Sequence, residues 1–192
     1  MTHEKTVSNL IIRLALDSTE EVMGENGLKA LLNYGDLIHL LENKPNYSLE
    51  KNYTDDQYGA LTSSWYKVLG INGGKALFRL IGKNSGISAI DTGILDSFKD
   101  LPADEKIFKM LELFAMATGR GKAERVNSII AYDNNQCTAC VNIKDKTPVC
   151  TGLNGAFDQF IKWAGLEGFR TIETKRMAMG DDTCRYEILP ME

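Results

Sequence analysis

Histidine, proline and cysteine are all scarce in this chain, and each scarcity excludes something. Its 192 residues include two histidines, four prolines and four cysteines. The histidines, His3 and His39, are too far apart to form a metal pair or a nucleophile–base pair, so histidine-centred catalysis has no visible basis. His3 is expected in a frayed terminus, and His39 on a helix between Ile38 and Leu40. No run of about 20 apolar residues occurs, which argues against a membrane span. The formal net charge of −4 argues against a broad basic surface for nucleic acid. The first residues, Met1-Thr2-His3-Glu4-Lys5, lack the basic-then-apolar order of a secretory signal, so a cytoplasmic location is expected.

Catalytic fingerprints are missing too. No G-x-S-x-G is present, and Gly121-Lys122 runs into Ala123 with Met116 where a phosphate loop needs its first glycine. Asp55-Asp56 reads as a helix start, Asp181-Asp182 as a hairpin turn, and Lys144, Asp145 and Lys146 as a solvated loop. The chain is therefore not expected to be an enzyme.

What is present is an ordinary globular composition, 43% hydrophobic and 25% charged, enough for one domain with its own core. Residues 1–122 carry mainly helical patterns, and residues 123–192 switch to strands around one helix. Val7, Leu10, Ile11 and Leu14 recur at helical spacing. Gly24 to Gly27 breaks that run, and Leu28, Leu31, Leu32, Leu37, Ile38 and Leu41 continue it until Pro45. The segment 43–56 is a linker candidate. Thr54-Asp55-Asp56-Gln57 has the form of a capping box, opening a helix through Leu61, Trp65 and Leu69. Gly73-Gly74 interrupts, Lys75 to Ile81 resumes, and Gly82 to Pro102 reads as a loop with at most one short helix. Asp104 to Ala117 is amphipathic, with Gly119 as its stop. Beyond Arg125 the predicted order is a strand over Val126–Tyr132, a turn at Asp133-Asn134-Asn135 and a returning strand over Cys137–Ile143. A helix over Thr151–Ala164 follows, then a strand over Phe169–Met177, a turn at Gly180 and a strand over Thr183–Leu189. Strands grouped late predict an α+β fold, a helical layer on an antiparallel sheet.

All four cysteines, Cys137, Cys140, Cys150 and Cys184, fall in the last third of the chain. In a reducing compartment this clustering fits metal binding or redox chemistry better than a disulfide framework. Small buried thiols also serve as plain core residues.

The run Pro148-Val149-Cys150-Thr151-Gly152, the strand with Glu173-Thr174, and Met179-Gly180-Asp181 before Cys184 resemble the 4-vinyl reductase domain, a family of small-molecule or hydrocarbon binders. Glu21 to Leu28 also resembles the helical part of its stand-alone members. The resemblance implies a fold related to TRAPP tethering subunits and to ligand-binding domains of the NO-signalling and Golgi-transport type, as in the sensor domains of aromatic-responsive regulators. It further implies a homodimer and an apolar pocket between the layers. The candidate pocket residues are Trp65, Phe114, Phe157 and Thr171, although plain core packing is the favoured reading of any single aromatic.

In the sensor relatives a zinc ion is held by one Cys, one Glu and two further Cys. Cys150, Glu173 and Cys184 match three of these positions, and Arg176 stands at the other. Two outcomes stay open: Cys140 or Cys137 completes a site for structural zinc, or Arg176 pairs with Glu173 and no metal binds. Asn154 and Thr171 stand where the phenol-responsive relatives carry aromatic residues, so phenol is not the expected ligand. The functional expectation is a binding or sensor module for a small hydrophobic molecule, a lipid or a tetrapyrrole. The alternatives are an accessory factor or reductase in tetrapyrrole vinyl reduction, and a tethering-type structural dimer.

Overall fold

A computed structural model describes residues 4–141, 143 and 149–191. His3, Lys144, Asp145, Lys146 and Pro148, each read above from the sequence, lie outside the described residues. The chain is α+β, with helices layered on an antiparallel sheet. In order it forms β1 (Lys5–Ser8), α1 (Asn9–Tyr34), α2 (His39–Glu42), β2 (Lys51–Thr54), α3 (Asp55–Asp91), α4 (Ala103–Thr118), β3 (Lys122–Val126) and β4 (Ile129–Asn134). These are followed by α5 (Thr138–Val141), α6 (Thr151–Ala164), β5 (Phe169–Lys175) and β6 (Cys184–Pro190). Strands β1 and β2 make a small antiparallel pair, and the main sheet has the order β3-β4-β6-β5.

Local chemistry sets several boundaries. Thr54 Oγ1 accepts from Gln57 N at 3.2 Å while Gln57 Oε1 accepts from Thr54 N at 2.9 Å, which completes the expected capping box of α3. Helix α6 keeps its expected bounds because Phe157, Phe160, Ile161 and Ala164 fall on one buried face and Gly165 ends it in the left-handed region.

Other expectations are corrected. Residues 82–91 are not a loop, because α3 runs on to Asp91. Gly73 and Gly74 are helical, and the break falls instead at Gly70, with φ 71° and ψ 176°. The same conformation kinks α1 at Gly24. Val7 belongs to β1 rather than to a helix, and 51–54 of the linker candidate forms β2. The strand expected over Val126–Tyr132 is two strands, divided at Asn127, which takes a positive φ of 58°; asparagine tolerates that region. Asp133 and Asn134 stay in β4, opposite Arg185 and Cys184. The strand expected from Cys137 is instead the short helix α5. A strand would send Cys137 and Cys140 to opposite faces, whereas a helical turn puts i and i+3 on one face.

Helices α3 and α6 of the layer meet closely. A Cβ at Gly82 of α3 would overlap the carbonyl of Gly152 on α6, and one at Gly155 would overlap the carbonyl of Arg79. At Gly86 it would lie 2.9 Å from Ala156 O. These glycines let two backbones touch, which outweighs their poor helix propensity. Ile130, Tyr132, Tyr186 and Ile188 on the inner face of the sheet join Phe157 and Ile161 in one buried cluster. Phe157 stands edge-on to Tyr132, Tyr186 and Phe114, with ring centroids 5.5–5.8 Å apart.

Candidate metal centre and surface groove

The last third of the chain folds back so that its four thiols meet. Cys137 follows β4, Cys140 lies in α5, Cys150 is the residue before the first turn of α6, and Cys184 begins β6. All four are buried and none forms a disulfide. Cys137 Sγ lies 3.4 Å from Cys140 Sγ and 3.1 Å from Cys150 Sγ, and Cys140 Sγ lies 3.6 Å from Cys184 Sγ. A zinc ion bound tetrahedrally to thiolates at ~2.3 Å would separate the sulfurs by about 3.8 Å, so these spacings approach a metal-binding set. The ligand atoms of Cys137, Cys140 and Cys184 all lie within 4.8 Å of one another, and Cys150 adjoins them through Cys137.

The framework holds this geometry from several sides. The Tyr66 hydroxyl on α3 donates to the carbonyl of Val149, and Thr151 Oγ1 donates to Lys75 O at 2.7 Å. Both contacts pin the start of α6 against α3. The backbone N–H of Met177 reaches Cys184 Sγ at 3.5 Å. The Cys137 thiol is held well below its usual pKa because Cys140, Cys150 and Cys184 hydrogen-bond to it. Those bonds, with burial, push Cys140 and Cys150 up. Such a cluster favours one thiolate surrounded by thiols unless a cation supplies positive charge. Cys150 also meets the N-terminal end of α6, where the helix dipole favours negative charge.

Glu173 lies beside this cluster on β5 and is 4% exposed. Its Oε1 is 3.2 Å from the Tyr186 hydroxyl, which also lies 3.1 Å from Cys150 O. Arg176 pairs with Glu173 by charge, Nε to Oε2 at 3.4 Å, and donates from Nη2 to the Glu173 carbonyl at 2.7 Å. The Nε–Oε2 approach is not a hydrogen bond, and Oε2 has no hydrogen-bond partner. Burial first, and then the neighbouring thiol cluster, raise the Glu173 pKa to about 7, against the opposing pull of Arg176 and Tyr186. A carboxyl whose folded pKa exceeds its unfolded value favours the folded state only while protonated. Stability should therefore fall as pH rises from about 4.5 towards 7, by roughly 1–3 kcal/mol. Glu173→Gln should flatten that slope in urea titrations across this range and stabilise the neutral-pH protein. An unchanged slope would show that Glu173 ionises normally.

The four candidate ligand residues do not line one space. Trp65 is fully buried against Phe78, ring centroids 5.5 Å apart. Phe114 and Phe157 belong to the aromatic cluster on the sheet. Thr171 sits on β5, where its N–H donates to Asp158 Oδ1 at 3.4 Å and its Oγ1 is buried without a partner. Next to it runs an open groove of about 1000 Å³ between α3, α6 and the start of β5. Its floor includes Leu80, Ile161, Leu166 and Phe169, and its rim carries Arg79, Lys83, Lys162 and Arg170. Sequence reading missed this groove. The i, i+4 pair Arg79 and Lys83 was the available signal, and the helix carrying it was expected to end before Lys83.

No protein-family model matches the chain, and no curated protein matches it. Solved structures do. An H-NOX protein from S. oneidensis in the Fe(II)NO state superposes with a TM-score of 0.66 at 11% identity, covering 97% of this chain and 100% of that one. An unliganded Fe(II) H-NOX protein from K. algicida gives 0.66 at 12% identity, covering 97% of both chains. The phenol-responsive sensory domain of the transcription activator PoxR, solved with phenol, gives 0.56 at 16% identity over 72% of this chain and 75% of its own. Haem iron needs an axial His, Cys, Met or Tyr and room for the macrocycle. The one described histidine, His39, is exposed on α2, the cysteines engage one another, and aromatic rings fill the space between helices and sheet. Among the described residues neither histidine nor cysteine is therefore free to be that axial ligand, and what the chain shares with these proteins is the fold.

Proposed function

We propose that this chain is a non-enzymatic small-molecule-binding sensor module whose α5–α6–β6 junction is held by a structural zinc ion on Cys137, Cys140, Cys150 and Cys184. The observation that carries the reading is the convergence of four buried thiols from separate elements. Soft thiolates suit zinc. Glu173 is engaged by Arg176 and Tyr186, so Cys137 takes the place the 4-vinyl reductase resemblance gives to that carboxylate. The resemblance over Pro148 to Ile188 supports the same class of function. So does a fold shared with a phenol-responsive sensory domain. The engagement of the cysteines with one another, and the exposed position of His39, argue against haem in particular.

The binding half of this reading is tested by thermal denaturation against fatty acids, hydrocarbons, small aromatics and porphyrins, with fluorescence of Trp65 and Trp163 as a second readout. A ligand selective for the folded state should stabilise it by about 2.7 kcal/mol at a hundredfold excess over Kd. Silence of the whole panel in both readouts would remove the sensor reading.

A further inference from the structure

The groove between α3, α6 and β5 has two faces of different chemistry. Its floor is apolar, with Leu80 from α3, Ile161 from α6, Leu166 just beyond that helix, and Phe169 from β5. Its rim is cationic in a chain whose formal net charge is −4. Four cations face it, Arg79, Lys83, Lys162 and Arg170, against two carboxylates, Asp158 and Glu167. Arg79 is committed to an ion pair with Asp158. Asp158 also accepts from the N–H of Thr171, which blunts the exposed edge of β5. Lys83, Lys162 and Arg170 thus outnumber the remaining carboxylate, Glu167.

Size selects among occupants. Ala76 to Lys83 on α3 and Gly155 to Lys162 on α6 each supply two turns, about 10 Å of wall. The volume of about 1000 Å³ stands at the upper end of the roughly 300–1,000 Å³ that small-molecule sites occupy. A stable protein interface takes a patch of ~800 Å² from each partner, roughly 28 Å across, and walls of about 10 Å fall well short of it. An alkyl chain laid along the floor meets aliphatic side chains, and an acid at its end meets the unpaired cations, whose aliphatic stems extend the apolar surface.

We propose that this groove binds a free long-chain carboxylate, with the alkyl chain on Leu80, Ile161, Leu166 and Phe169 and the carboxylate at Lys83 and Arg170. The assignment rests on the reading of the chain as a small-molecule-binding module and names the class of its ligand. The test is equilibrium dialysis of the zinc-supplemented 192-residue chain with radiolabelled palmitate, and separately with hexadecanol. Palmitate should bind about tenfold or more tightly than the alcohol, a difference of ~1.4 kcal/mol or more. The double reversal Lys83→Glu/Arg170→Glu should weaken palmitate about tenfold or more while leaving the melting temperature of the free protein unchanged. Leu80→Asp should weaken both ligands. Equal affinity for acid and alcohol, or palmitate binding indifferent to the charge reversal, would overturn the proposal. Flotation with phosphatidylcholine–phosphatidylglycerol vesicles, without binding of dissolved palmitate, would overturn it in favour of a membrane surface. Should palmitate fail while neutral aromatics or hydrocarbons still raise the melting temperature, this assignment falls and the sensor reading stands. Silence of the whole ligand panel removes both.

Discussion

Gly82→Ala and Gly155→Ala should each destabilise the protein by about 3 kcal/mol or more, against a helix-propensity gain of up to ~1 kcal/mol. Each added methyl would overlap a carbonyl of the facing helix, Gly152 for Gly82 and Arg79 for Gly155. Neither obstacle is a flexible side-chain end, so α3 and α6 must move apart. For a chain of this size such a loss lowers Tm by roughly 6–12 °C. The displacement would reach the candidate metal centre, because Tyr66 and Thr151 tie α3 to the start of α6 beside Cys150. Both variants should hold zinc more weakly than the parent. A Gly82→Ala protein that melts at or above the parent temperature would show that the helices do not cross this closely.

Cysteine replacement should have the other large effect. Cys150→Ser and Cys184→Ser each remove one thiolate from the cluster, and Cys137→Ser removes the thiol that bridges Cys140 and Cys150. Structural zinc contributes on the order of 10 kcal/mol of apparent binding free energy in small peptides, so losing a ligand should lower zinc content and thermal stability together. Zinc should also leave as pH falls, since each ligand must be a thiolate. Arg176→Cys sharpens the comparison. If Cys137 and Cys140 complete the donor set, a further thiol at 176 should change zinc content little. If only Cys150, Glu173 and Cys184 were available, the same substitution would create binding in a metal-free parent. Calorimetric melts with and without a chelator separate loss of metal from damage to packing, because the chelator should no longer shift a variant that has already lost its zinc.

The parts readable from sequence are those where local chemistry decides. The amphipathic run from Thr151 to Ala164 with Gly165 behind it, and the Thr54–Gln57 capping pair, express their structure within a few residues. Cysteine clustering was visible as well, but its assembly was not. The strand expected over Cys137–Ile143 would have divided Cys137 from Cys140, and only the turn of α5 unites them. Helix α3 was legible as far as Ile81 and then lost, because Gly82 and Gly86 look like breakers until α6 is laid against them. The groove depended on that lost stretch. Lys83 reaches its rim only once α3 continues, and Arg170 joins it from a strand nearly ninety positions later. Trp65, Phe114 and Phe157 have the composition of a pocket, and in the fold their rings pack at 5.4–5.5 Å against Phe78, Tyr132 and one another.

Native mass spectrometry of the chain, purified under reducing conditions and without chelator, tests the metal-held junction most directly. The expected spectrum shows the 21.3 kDa chain carrying one zinc ion, with that mass increment absent from Cys150→Ser and Cys184→Ser. A parent chain that stays metal-free in the presence of added zinc, and whose melting temperature does not respond to it, would contradict the account.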